Sequence, residues 1–257
     1  MQYMTPPIST NMKIAFIGDS FSAYSQDGQE KNHWSYLLSQ HFPQHQFINY
    51  SLGGRGYDHY RIAMLDAKMK DVDVVLTNET YNQRILSSIA DGELFTLENE
   101  VSSNYKTLVL RNTYWYSIHS DELMYFGDET NRIPKSTQKA LLETLRNTSV
   151  SSRYRLYNRK WWDNVDKLYN FKHIIKLNLL RNPNEAITDD LTNAYSKLLL
   201  AHGVEPTHSP RGHTSTQQRQ LYFDNDLIIS RDDDHWSPKA NKWVFNNYIL
   251  PKVVDIL

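Results

Sequence analysis

Two short stretches at opposite ends of the chain carry residue types that could do chemistry together. Near the start, an apolar run of strand type, Ile14 to Ile17, stops at Gly18-Asp19-Ser20 and continues into Phe21-Ser22. Near the end, Asp232-Asp233-Asp234-His235 stands before Trp236-Ser237-Pro238 and a final helical pattern. A serine at the carboxyl end of a first parallel strand sits where open α/β sheets place their ligands. The glycine permits a tight turn, and the backbone amides that follow can point at an incoming anion. Ester hydrolysis by serine needs a hydroxyl, a base to take its proton and a group to orient that base. Together the two ends point to a serine hydrolase.

The elements between them must bring those ends together. A polar, proline-containing arm over 1–11 precedes a first strand, Lys13–Ile17. A helix pattern over 32–41 ends before Pro43, and 46–50 reads as a second strand that leads into Ser51-Leu52-Gly53-Gly54-Arg55-Gly56. That glycine cluster predicts a loop with positive φ or a close backbone approach. A helix carrying Ile62, Leu65 and Met69 follows. The short apolar run Val74-Val75-Leu76 predicts a strand covered on both faces, ending in Thr77-Asn78-Glu79. Further strands are expected at 107–110 and His173–Leu177. Helices are expected at 136–145, 153–170, 189–200 and 238–249, with a polar loop over 202–218. The alternation predicts an α/β fold, a three-layer α/β/α sandwich around a parallel sheet of about five strands.

Composition narrows the function classes. The 257 residues make one large domain, 12–257, with an insertion or cap expected at about 112–215. A net charge of −1 gives no global field for nucleic acid or acidic membranes. Zero Cys removes disulfides, thiolate metal sites and cysteine nucleophiles. No apolar run is long enough to span a bilayer. The first ten residues lack the basic start and apolar core of a signal peptide, so cytoplasmic synthesis is expected. His202, His208 and His213 read as surface histidines and not as a metal site, their spacing being irregular. Neither a phosphate loop nor a full dinucleotide fingerprint is found, so no cofactor and no metal is expected.

Four separated stretches resemble the blocks of the SGNH/GDSL hydrolase family. They are Gly18-Asp19-Ser20, the glycine of Asn49-Tyr50-Ser51-Leu52-Gly53-Gly54, the asparagine of Leu76-Thr77-Asn78-Glu79, and Asp232 with His235. The resemblance implies a flavodoxin-like sheet, with Ser20 as nucleophile, His235 as base and Asp232 as its orienter. It assigns the oxyanion donors to the Ser20 and Gly54 backbone amides and the Asn78 side chain. Rivals stay open within the blocks: Ser22 for the nucleophile, Asp233 and Asp234 for the orienter, Gly53 for Gly54. The family form Gly-x-Asn-Asp reads Leu76-Thr77-Asn78-Glu79 here, so that block departs from the pattern.

The expected activity is hydrolysis of small acyl esters such as O-acetyl, with a carbohydrate as the alcohol. Seventeen Tyr and six Trp can stack on sugar rings, and Arg153, Arg155 or Arg159 could meet an acidic sugar. Acyl transfer to a sugar would use the same residues. The alternative from another class is a non-catalytic binding or structural component that keeps this fold, in a homo-oligomer or larger assembly such as a virion or surface complex.

Overall fold

The computed structural model describes residues 11–23, 30–53, 55–80, 84–87, 94–98, 105–110, 113–117, 122–126, 134–179, 193–205, 216–231, 233 and 235–257. Outside these residues fall the arm over 1–10, Gly54, Asp232 and its rival Asp234, and the histidines His208 and His213.

Strand β1, Lys13–Ile17, is the axis of the sheet. Its residues Ile14, Ala15, Phe16 and Ile17 have no exposed surface, which is why a continuous apolar run and not an alternating one encodes it. It pairs in parallel with β2 (Gln46–Asn49) and β3 (Val74–Asn78), setting Ile14 opposite Phe47 and Val74. Beyond β2 lies β6 (Tyr105–Leu110), and beyond β3 lies β9 (His173–Leu177), both parallel. β5 (Leu94–Glu98) closes the β6 edge antiparallel. The six strands run β5-β6-β2-β1-β3-β9, so five are parallel. The stretch β2-β1-β3-β9 has the flavodoxin-like order. The strand that follows β3 in the parallel set, β6, goes to the opposite edge, and the second edge of β3 is met by β9, Val74 lying opposite His173.

Helices cover both faces, giving the expected three layers. Phe16 points to the side of α1 (Trp34–His41), α5 (Ala194–Ala201) and α7 (Pro238–Val244), packing with Trp34, Leu198 and Val244. Ala15 and Ile17 face the other side, where α2 (Tyr57–Met69) and α4 (Thr148–Leu168) contribute Tyr60, Met64, Trp161 and Val165. The basic aromatic stretch of α4 therefore turns its tryptophans into the core. Tyr157 stays exposed, with the Arg61 guanidinium over its ring.

A second sheet was not legible from sequence. β4 (Arg84–Ser87), β7 (Thr113–Ser117) and β8 (Glu122–Phe126) form it in antiparallel order β4-β7-β8. Leu123 of β8, Leu141 and Leu142 of α3 (Lys135–Arg146) and Tyr154 of α4 pack, partly buried, against one apolar cluster. The stretch 112–215 thus holds peripheral elements together with β9, a strand of the main sheet. A helix, α6 (Thr216–Asp224), begins within the expected polar loop. The last helix breaks register in a π-turn at Phe245–Ile249 before α8 (Leu250–Val253). Pro251 offers no N–H and crowds the preceding turn, a sufficient cause. Among the described residues no helix is long and apolar enough to cross a membrane.

His59 on α2 is fully buried and its Nε2 donates to the Tyr50 carbonyl at 2.6 Å. Burial, helped by the nearby Arg55 charge and opposed by that hydrogen bond, brings its pKa down to about 4. Folded His59 therefore stays neutral where the unfolded chain binds a proton. Its contribution is complete above about pH 6.5 and drains as the pH falls toward 4. Urea unfolding at pH 7 and pH 5 should show roughly 2 kcal/mol of His59-dependent loss, absent in His59→Gln, whose amide can keep the Tyr50 bond.

Candidate active site

The turn after β1 is built around a missing side chain. A Cβ on Gly18 would lie 2.0 Å from Asn78 Oδ1 and 2.7 Å from Ser22 Oγ, so only glycine lets those groups close over the strand end. Asp19 is fully buried, and its Oδ1 accepts from the Phe21 amide at 3.1 Å and from Asn78 Nδ2 at 3.3 Å. Its carbonyl accepts from the amides of Ser22 (3.0 Å) and Ala23 (2.8 Å), coiling the chain into a single turn. Ser20 is left at the partly exposed crest of that turn.

Ser22 and Asn78 lie beneath. Ser22 is 2% exposed and its hydroxyl donates to Asn78 Oδ1 at 2.6 Å. Asn78 Nδ2 also donates to the Glu79 carbonyl at 3.0 Å. The amide cannot be turned over, because its oxygen would then face the Asp19 carboxylate, which only accepts. Both hydrogens of Asn78 are thus directed at acceptors of the scaffold.

The loop after β2 closes on the same place. Asn49 Nδ2 donates to the Ser22 carbonyl at 3.0 Å, and its Oδ1 accepts from the Ser51 amide at 2.8 Å. The Leu52 amide reaches the Gly18 carbonyl at 3.2 Å. Gly53 then passes close to the serine: a Cβ placed there would be 3.7 Å from Ser20 Cβ. Arg55 is 3% exposed, its pKa brought down to about 10 by burial, and its carbonyl accepts from Thr80 Oγ1 at 3.0 Å.

His235 arrives from the loop before α7. Its Nδ1 is in contact with Asp233 Oδ1, which also accepts from the His235 amide at 3.0 Å. That pairing puts the proton on Nδ1 and leaves Nε2 as the basic nitrogen. Asp233 is itself held, its amide donating to Ser230 Oγ at 3.1 Å. Asp233, a rival to Asp232 on sequence, is the described aspartate at the ring. The His235 ring lies 5.1 Å from the ring of Phe21, the residue after Ser20. Phe21 also packs edge-on to Trp236 at 5.0 Å. Ser237 caps α7, its Oγ accepting from the Ala240 amide at 3.1 Å, so the loop ends on a fixed post.

A second imidazole is marked by no motif in the sequence. His33 caps α1, its Nδ1 accepting from the Ser35 amide at 3.2 Å, and it is 6% exposed. Burial brings its pKa down to about 3; a hydrogen bond to the Phe21 main chain opposes this, and the charge of His235 adds to it. Histidine is an uncommon cap, so its place directly before Trp34 was the only available signal.

No family model matches the sequence, and no curated protein matches it. Among solved structures, the chain is similar to one described as a candidate lipolytic protein of the G-D-S-L family from Desulfitobacterium hafniense DCB-2. The likeness has 15% identity and a TM-score of 0.27, and covers 70% of this chain and 86% of that one. That is too distant to transfer a residue role.

Removing the Ser22 hydroxyl leaves Asn78 Oδ1 buried without its donor. Ser22→Ala should lower unfolding stability by about 1–3 kcal/mol in urea titration.

Proposed function

We propose that the chain is a metal-independent serine ester hydrolase. The observation that carries the reading is the Phe21–His235 ring contact, which joins the Ser20 turn to an imidazole already paired with a carboxylate. In this reading Ser20 Oγ attacks the acyl carbon while His235 Nε2 takes its proton. The oxyanion is met by the Ser20 amide and by an amide of the Gly53-Gly54 loop. The two bonds received by the Asp19 carbonyl polarise the peptide whose N–H belongs to Ser20, which strengthens that donor. Asn78 adds a donor if it lets go of the Glu79 carbonyl. Collapse of the intermediate expels the alcohol with the proton from His235. A water deprotonated by His235 then frees the acid. Small acyl groups on a carbohydrate are the proposed substrate class.

Asp233 is the orienter favoured by its contact with His235, and Asp232 remains the assignment that the family resemblance implies. A second reading, a non-catalytic component of a larger assembly, draws support from the engagement of the Asn78 amide within the scaffold.

Hydrolysis of p-nitrophenyl acetate by the purified protein separates these readings. Turnover is expected to survive chelation and to fall at least about a thousandfold in Ser20→Ala with melting unchanged. A fluorophosphonate should label Ser20. Neither turnover nor labelling would favour the assembly component. Asp233→Asn should cost roughly 10³–10⁴-fold in kcat and Asp232→Asn far less; the reverse order would return the orienter to Asp232.

A further inference from the structure

The proposed mechanism needs Ser20 and His235 held together, yet they ride on segments at opposite ends of the chain. The first residue of α1 is bonded toward both. Trp34 is fully buried, and Phe16 meets its ring edge-on at 5.4 Å between centroids. Its indole Nε1 donates to the Phe21 carbonyl at 2.7 Å, a buried bond. The same peptide is held at its other end, where the Ser22 amide donates to the Asp19 carbonyl at 3.0 Å. One bond would let that peptide swivel, whereas a bond at each end fixes its plane.

The main chain of Trp34 reaches the other segment. Its amide donates to Asn241 Oδ1 at 3.4 Å, and Asn241 Nδ2 donates to the carbonyls of Trp236 at 3.0 Å and Ser237 at 3.2 Å. Turned over, the Asn241 amide would set donor against donor at Trp34 and oxygen against two carbonyls, so its sense is fixed. Trp236 follows His235, and both rings pack on Phe21, at 5.0 and 5.1 Å. Phe21, Trp34, Asn241 and Trp236 thus close a circuit of contacts, with Ser20 attached next to Phe21 and His235 next to Trp236. We infer that Trp34 is a positioning residue: its indole holds the Phe21 carbonyl and its main chain, through Asn241, holds the His235 loop, so that the serine and its base stay in register. The catalytic consequence rests on the serine-hydrolase reading; the seating of His235 against Phe21 does not.

Trp34→Phe keeps an aromatic ring and the main-chain bond to Asn241 while removing the N–H. It leaves a buried carbonyl without its donor, so it should also melt earlier. Phe47→Leu is the control for lost stability alone, since Phe47 stacks on Phe16 at 5.7 Å in the same core cluster. In Trp34→Phe, kcat on p-nitrophenyl acetate should fall about tenfold at unchanged KM. The His235 ring-proton resonance, identified by its loss in His235→Gln, should be displaced because the Phe21 ring current moves. Phe47→Leu should melt earlier too, yet keep kcat and the resonance. A parental kcat or an undisplaced resonance in Trp34→Phe would overturn the inference, as would the same losses in Phe47→Leu. Benzothienylalanine in place of Trp34 swaps the N–H for sulfur in a ring of nearly the same shape, and it decides the matter by the same readouts should Trp34→Phe fail to fold. If the parent neither turns over nor labels with a fluorophosphonate, the hydrolase reading fails by itself. The resonance then still decides the positioning role: displacement in Trp34→Phe but not in Phe47→Leu upholds it, and no displacement overturns it.

Discussion

An asparagine side chain occupies the space that a residue at position 18 would otherwise fill. Asn78 crosses from the end of β3 to the end of β1, and its amide meets Ser22, Asp19 and the Glu79 carbonyl within the same small volume. This contact depends on Gly18 having no Cβ. It joins two adjacent parallel strands just where their hydrogen-bond ladder ends, and it dictates the direction in which the chain leaves the sheet. The buried carboxylate of Asp19 is tolerable there because main-chain and side-chain donors both reach it. Ser20 is carried to the partly exposed crest of that turn.

Around that lock the molecule sends segments remote in sequence to one end of the sheet. The loop after β2 arrives through Asn49 and Gly53, the head of α1 through Trp34, and the loop before α7 through Asp233, His235 and Trp236. Phe21 links the last two, its ring packing on His235 and Trp236 while its carbonyl accepts from Trp34 Nε1 at 2.7 Å. Asn241 of α7 ties them again, donating to the Trp236 carbonyl at 3.0 Å while its Oδ1 accepts from the Trp34 amide at 3.4 Å. Dispersion and area burial hold the rings, while directional bonds set the angles.

How much of this was legible follows from what each residue's signal depends on. Strands β1 and β3 are buried on both faces, so their apolar runs announced them, and the Gly18, Asn78 and His235 blocks followed at strand or loop ends. Strands β4, β7 and β8 pair with one another, and the aromatic triplet within Thr113–Ser117 favours a strand without naming its partners. The choice of edge for β6 depends on which neighbour it meets, which local pattern does not encode. The helix expected over 189–200 begins at Ala194, because Asn193 caps it with its side chain on the Ser196 amide at 2.7 Å. Three consecutive aspartates look alike in sequence. Only the loop's fold brings Asp233 to the ring.

The pairing of β3 with β9 joins Val74 to His173, across a long excursion of chain. During synthesis, β1, β2 and β3 with α1 and α2 leave the ribosome well before β9 exists. Until it does, β3 has a bare edge of backbone donors and acceptors, flanked by the apolar side chains of Val74, Val75 and Leu76. Such an edge is a template for another nascent chain, and closing a loop of this length to cover it is slow. The last strand to join is therefore the one that makes the first three safe from aggregation, and the yield of folded protein hangs on how quickly the excursion is completed.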